Sequence, residues 1–282
     1  MVQIMMTGST FSRHREIAWR GGRTSSTSRL IAEESAIALT YHGSTHAVMM
    51  GTPADLEDFG IGFSLTEAIV DRSSDIRSIE LISNELGMEV RMWLDGDRAA
   101  TLATRRRAIS GPVGCGLCGI ESLEQARRTP SRVESPGIAF HARDLLNAMR
   151  ALSPLQTLNQ QTRSVHAAAF WRPGTGIAHV REDVGRHNAL DKLAGAMARY
   201  GNSARDGAVL LTSRVSVEMV QKAAMIGAPV IVAVSAPTAL AIQTANEAGI
   251  TLLAVARDDG YGVFTHPRRV LLPDEAVHHA GR

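Results

Sequence analysis

AVLLTSRVSVEMVQKAAMIGAPVIVAVSAPTALAIQTANEAGITLLAVA, residues 208–256, decides the fold class. Ala208 to Leu211, Pro229 to Val234 and Ile250 to Ala256 are apolar runs without polar alternation, and Val215 to Ile226 and Ala239 to Ala248 carry a helical period between them. A strand apolar on both sides is covered on both faces, and strands separated by helices of about 10–12 residues pair in parallel through right-handed crossovers. The segment is predicted to be a three-layer α/β unit. Ligands of such sheets sit beyond the carboxyl ends of the strands. That rule gathers Ser213 and Arg214, Ser235 to Pro237, and Arg257 to Gly260 on one pocket rim.

Upstream, Ser164 to Trp171 and Ile177 to Arg181 read as strands and Arg186 to Tyr200 as an amphipathic helix. The polar run Arg181 to Asn188 at the start of that helix has two readings. It is a helix start with Asp183 available as a cap, or a polar wall for a phosphorylated ligand. Ser213 to Ser216, before the next helix, suits a phosphate in the same way. The first half has a different grammar. Ala36 to Tyr41 and Thr45 to Met50 form a hairpin across His42, Gly43 and Ser44. Thr52 and Pro53 open a helix whose Leu56, Phe59 and Phe63 share a face. Ile76 to Ile82 and Met88 to Leu94 make a second hairpin, and Leu145, Leu146, Met149 and Leu152 mark a helix after a Pro- and Ser-rich linker at 129–137. The expected organisation is a flexible tail at 1–30, an N-terminal α+β subdomain at 31–152 and a C-terminal α/β subdomain at 153–275.

The chain has 282 residues, 44% of them hydrophobic, and a formal charge of +2, which suits a soluble globular protein and offers no global basic field for nucleic acid. No apolar run is long enough for a membrane span, and the charged start lacks the core of a signal peptide, so a cytoplasmic location is expected. Cys115 and Cys118, in Gly-Cys-Gly-Leu-Cys-Gly, are the only cysteines. They lie on a Gly- and Pro-punctuated stretch at 105–119 with no secondary-structure period, so a mobile CxxC loop is expected. Such a pair can carry sulfur or redox chemistry, contribute half of a metal site, or be inert. Thiolate chemistry needs positive surroundings, and Arg105, Arg106 and Arg107 are close in sequence.

Other signals fail on context. Gly114, Gly116 and Gly119 match the dinucleotide spacing, but Arg107 to Val113 is a poor strand to precede it. His14-Arg15-Glu16 lies about a hundred residues from the CxxC and Pro112 does not adjoin Cys115, unlike a zinc deaminase signature. There is no Walker A sequence.

The blocks MMGTPADLEDFGIGFSLTEAI, GCGLCGIESL, SVHAAAFW, REDVGRHNALDKL, TSRVSVEMVQKAA, VSAPTALAIQTANEAGITL and VFTHPRRV, in this order from about Glu33 to Arg269, resemble the formate dehydrogenase accessory sulfurtransferase family, FdhD/NarQ. The resemblance implies a sulfur carrier, cytoplasmic and homodimeric, whose α/β part is similar to the cytidine deaminase fold. It would take persulfide sulfur from a cysteine desulfurase and deliver it to the Mo-bis(molybdopterin guanine dinucleotide) cofactor of formate dehydrogenase. Carried onto this sequence, Cys115 is the persulfide carrier and Cys118 its helper or alternate acceptor. Val255, Ala256, Arg257, Asp258, Asp259 and Gly260 correspond to the cofactor stretch, although Asp258 and Asp259 depart from the glycine or basic residues other members can have there. Arg214 and Ser235, already on the rim, join them, and no permanent metal is implied. Two other functions compatible with the residues are a non-catalytic cofactor-binding chaperone and a CxxC thiol-disulfide oxidoreductase.

Overall fold

The computed structural model describes residues 9–96, 98, 130, 132–134 and 137–272. Within them the strands are β1 (Phe11–Arg20), β2 (Arg23–Ala32), β3 (Ser35–Tyr41), β4 (Ser44–Gly51), β5 (Ile76–Asn84), β6 (Gly87–Leu94), β7 (Phe140–His141), β8 (His166–Arg172), β9 (Gly176–Asp183), β10 (Ala208–Leu211), β11 (Val230–Ala233), β12 (Thr251–Arg257), β13 (Gly260–Val263) and β14 (Val270–Leu271). The helices are α1 (Leu56–Thr66), α2 (Ala142–Leu152), α3 (Thr157–Thr162), α4 (Arg186–Arg199), α5 (Val217–Met225) and α6 (Ala239–Glu247). The expected CxxC loop lies outside the described residues.

The main sheet has the order β13-β12-β11-β10-β8-β9. Its parallel centre is β10, β11 and β12, with β8 and β13 joining antiparallel on either side. Side chains alternate between two cores, in β12 as far as Ala254. Phe170, Val209, Leu211, Ile231, Ala233 and Leu252 face a layer built with residues of α4, α5 and α6. Trp171, Leu210, Val230, Val232 and Leu253 face α2 through Leu145 and Met149. Coverage on both faces is what the unbroken apolar runs required.

The second sheet, β4-β3-β6-β5, places Ile37, Leu39, Val90 and Met92 against Leu56, Phe59 and Phe63 of α1. That helix begins later than the sequence suggests. Asp55, not Thr52, is its N-cap, in a left-handed conformation at φ 53° and without a side-chain cap bond. Thr52 is occupied elsewhere, because its Oγ1 accepts from Val184 N at 3.1 Å.

Residues 11–30 of the expected flexible tail, with Ile31 and Ala32, form instead a two-stranded antiparallel ribbon of β1 and β2, turned by Gly21 and Gly22 at φ 54° and 76°. Two positive-φ glycines between strands are the signature of a primed hairpin turn. The apolar alternation that usually reveals a strand is missing because the ribbon buries neither face, leaving Ile17 and Trp19 exposed.

Candidate functional site

The carboxyl ends of β10, β11 and β12 meet on one edge of the main sheet, and the two loops beyond β10 and β11 run side by side. Val215 N donates to Ala236 O at 3.3 Å, Thr238 N to Val215 O at 3.0 Å and Val255 N to Ser235 O at 3.3 Å. Arg257 Nη1 reaches across to Val234 O at 2.6 Å and to its own neighbour Ala256 O at 2.8 Å. Arg214 is exposed, with no described partner for its guanidinium. Arg150 Nη2 holds Asp258 O, while Asp258 and Asp259 are exposed and Gly260 starts β13. The structure therefore brings Arg214, Ser235 and Val255 to Gly260 to one edge. Cys115, Cys118 and Arg105 to Arg107 lie outside the described residues.

Val255 has φ 55°, a left-handed backbone that a β-branched residue adopts only under strain of ~1–3 kcal/mol. The pairing register with β13 shifts between Ala254 and Arg257. The bulge changes the alternation, so that Val255 turns outward, Ala256 takes the place against the α2-facing core and Arg257 is aimed across the end of β11. Val255→Gly should relieve the strain and, because the side chain is already largely exposed, raise or leave unchanged the thermal midpoint while loosening Arg257. A fall of several degrees would show that the conformation is not strained.

The same edge receives the starts of α4 and α5. Arg186 Nε is buried without a hydrogen-bond partner among the described residues. His187 Nε2 lies 3.5 Å from Ser216 Oγ and 3.8 Å from Glu218 Oε2. Burial, aided by the cations Arg186 and Lys222, pushes the His187 pKa down to about 4. Burial would raise the Glu218 carboxyl, but hydrogen bonds from Ser216 and its own N–H hold it below the ordinary value. A catalytic triad places serine and carboxylate on opposite ring nitrogens; here both address Nε2, so Ser216 is not an activated nucleophile. His187 is a neutral polar wall.

A pH dependence follows. His187 binds its proton more weakly in the folded chain than in the unfolded one, whose histidine pKa is ~6.5, so stability is full above that value and declines as pH falls toward 4. His166 and His179 are lowered as well, by burial first, and act in the same direction. Urea midpoints should fall between pH 7 and pH 5, with a smaller fall in His187→Gln. An identical slope in both proteins would exclude His187 as a contributor.

Most of the polar run before α4 serves docking rather than a ligand. Arg181 Nη2 pairs with Asp58 Oδ2 at 2.6 Å, and Arg199 Nη1 takes Asp58 Oδ1 at 2.8 Å. Glu182 accepts from the backbone N–H groups of Leu158 and Asn159, both at 2.8 Å, at the start of α3. Asp183 meets Lys192 Nζ at 2.6 Å, and Asn188 Nδ2 donates to Met50 O at 2.8 Å. Only Arg186 and His187 remain for the rim. A second buried junction joins Lys222 to Asp191 at 2.9 Å and to Glu67 at 2.6 Å. Burial works to discharge Lys222, but those two carboxylates outweigh it and keep the ammonium above its ordinary value. Lys192 and Lys222, the chain's only lysines, both reach from helices of the main sheet to the segment that carries α1, Lys192 to Thr52 O at 2.8 Å and Lys222 to Glu67 at 2.6 Å, a role no sequence period reveals.

The FdhD/NarQ family model matches residues 32–271. The chain belongs to the FdhD/NarQ family. Curated relatives agree along nearly the whole length. This family member is 50% identical over 269 residues to the sulfur carrier protein FdhD of Agrobacterium fabrum, covering 95% of this chain and 99% of the relative. It is 50% identical over 267 residues to that of Brucella abortus, covering 94% and 99%. The crystal structure of a formate dehydrogenase accessory protein from Desulfotalea psychrophila superposes with a TM-score of 0.72 at 24% identity, over 93% of this FdhD/NarQ chain and 100% of the other. The likeness shows a shared fold.

Proposed function

We propose that the protein is a sulfur carrier in the maturation of formate dehydrogenase. The observation that carries this reading is 50% identity, along nearly the full length, to relatives named as sulfur carriers. In the first step the Cys115 thiolate attacks the terminal sulfur of a cysteine desulfurase persulfide. A new S–S bond forms at Cys115, the donor S–S bond breaks and the desulfurase cysteine leaves as thiolate. Cys118 serves as helper or alternate acceptor. The Cys118 thiolate then attacks Cys115 Sγ, so that a Cys115–Cys118 disulfide forms as the persulfide bond breaks, and the terminal sulfur leaves as sulfide for the Mo-bis(molybdopterin guanine dinucleotide) cofactor, which is the substrate here.

The strand-end edge suits such a substrate. Two guanidiniums, Arg214 and Arg257, offer forks for phosphate oxygens, and the unpartnered Nε of Arg186 is a donor that a bound anion would satisfy. The N-terminus of α5 adds free N–H groups and a favourable dipole. Ser235 supplies a small polar contact between them. The neutral His187 can exchange a hydrogen bond with a ligand at this edge without adding a charge to its three guanidiniums.

Two measurements test this. Incubation with a desulfurase and cysteine should add one sulfur, ~32 Da, to the Cys115 peptide, and Cys115→Ala should lose almost all activation of formate dehydrogenase in cells lacking the native protein. Full activation by Cys115→Ala would overturn the carrier role and leave a holding function. Arg257→Ala should weaken retention of the molybdenum cofactor about tenfold while leaving persulfide loading intact, read by cofactor co-purification beside mass spectrometry.

A further inference from the structure

The opposite edge of the main sheet, where the parallel strands begin, carries a cavity of about 650 Å³. Arg132, Arg205, Arg268 and Arg269 line it together with Val133, Gly249 and, among the described residues, a single carboxylate, Glu134. Arg205 stands ahead of β10, Gly249 ahead of β12, and Val133 is pinned there by its N–H to Ala248 O at 2.8 Å. Four guanidiniums around one space repel one another, and none of them forms an ion pair with a described carboxylate. The C-terminal turns of the neighbouring helices explain only part of the arrangement. Arg269, 5% exposed, donates through Nη1 to Gly249 O at 2.7 Å and to Thr251 Oγ1 at 3.2 Å. Burial first, then the cations Arg268 and Arg132, pull its pKa below the ordinary value. Arg205 and Arg268 are exposed and available.

We infer that this edge is a second anion site whose ligand is a diphosphate group, gripped by Arg132, Arg205 and Arg268 above the buried Arg269. Each guanidinium matches two phosphate oxygens, and a diphosphate supplies the several negative charges that one glutamate does not. The volume falls within the range of small-ligand pockets and admits a nucleoside diphosphate as readily as the free diphosphate. An acidic peptide fits less well, because Val133 is the one apolar side chain among the described lining residues and makes no series of pockets for alternate side chains. The inference is independent of the sulfur-carrier reading, whose described residues Arg214, Ser235 and Arg257 lie at the other end of the strands.

Calorimetry on the full chain separates the two edges. Arg214→Ala/Arg257→Ala, which disables the carboxyl edge, is titrated with inorganic pyrophosphate and with GDP at fixed ionic strength. Binding of pyrophosphate should persist in this background. Adding Arg205→Ala/Arg268→Ala should weaken it at least about tenfold, with an unchanged circular dichroism spectrum showing that the fold survives. Equal affinities for the two probes would identify the diphosphate alone as the recognised group; tighter GDP, lost in the same variant, would identify a nucleoside diphosphate as its source. Absence of pyrophosphate binding below millimolar concentration in the background protein, or binding indifferent to the loss of Arg205 and Arg268, overturns the proposal.

Discussion

Lys192→Met is expected to remove ~3–5 kcal/mol of stability, against a total of ~5–15 kcal/mol for a typical domain, and so to leave little folded protein at 37 °C. Lys192 and Asp183 are both fully buried, with Nζ and Oδ2 2.6 Å apart. The ammonium also donates to Thr52 O at 2.8 Å. Asp183 in turn accepts from Thr52 N at 3.0 Å, Gly185 N at 2.7 Å and Asn188 Nδ2 at 3.0 Å. Deleting the cation strands a carboxylate that water cannot reach, and that uncompensated charge, rather than the lost attraction, sets the size of the effect. Asp183→Asn added to Lys192→Met should restore part of the loss, because it removes the stranded charge. Urea unfolding of the three proteins checks this. A Lys192→Met midpoint close to that of the native chain, or no recovery in the double variant, would count against the account.

Gly195→Ala and Gly62→Ala are each expected to cost more than ~3 kcal/mol, the upper end of overpacking effects, or to prevent folding. The helices α1 and α4 cross with backbone against backbone. A Cβ at Gly195 would stand 1.8 Å from Asp58 O, and one at Gly62 would stand 1.6 Å from Asp191 O. No rotamer change relieves either overlap, since the obstructing atoms belong to main chain. The helices would have to part, breaking the Asp58 pairs with Arg181 and Arg199 and the contact of Thr66 Oγ1 with Asp191 Oδ1 at 2.6 Å. Soluble yield and thermal midpoint of the two variants measure the cost. A Gly195→Ala protein with a native midpoint would mean that the two helices are not in backbone contact.

Legibility differed by segment for physical reasons. The α/β unit was readable because strands buried on both faces are apolar along their length: β10 and β11 fall inside the runs at 208–211 and 229–234, and β12 covers the run at 250–256 from Thr251 and ends one residue beyond it. The rim followed from the same pattern, since loops at strand ends need no knowledge of tertiary contacts. The β1–β2 ribbon escaped because it has no buried face to impose a period. Arg181, Asp183 and Asn188 were open to a ligand reading because ion-pair partners such as Asp58, 123 residues away, leave no local trace. The helix start at Leu56 moved from Thr52 because a tertiary hydrogen bond claimed the threonine.

The sequence by itself determined the hydrophobic periods, hence the sheet-and-helix alternation, the ordered family blocks and the CxxC pair, all properties carried by neighbouring residues. The tertiary structure decided how the polar residues were divided. It assigned Lys192, Lys222 and most of the Arg181 to Asn188 run to holding the two sheets together, left Arg186, His187, Arg214 and Arg257 at the carboxyl edge, and gathered four arginines at the other. Charges interact through space, so residues far apart in the chain acquire their roles only when folding brings them within a few ångströms and removes the water between them.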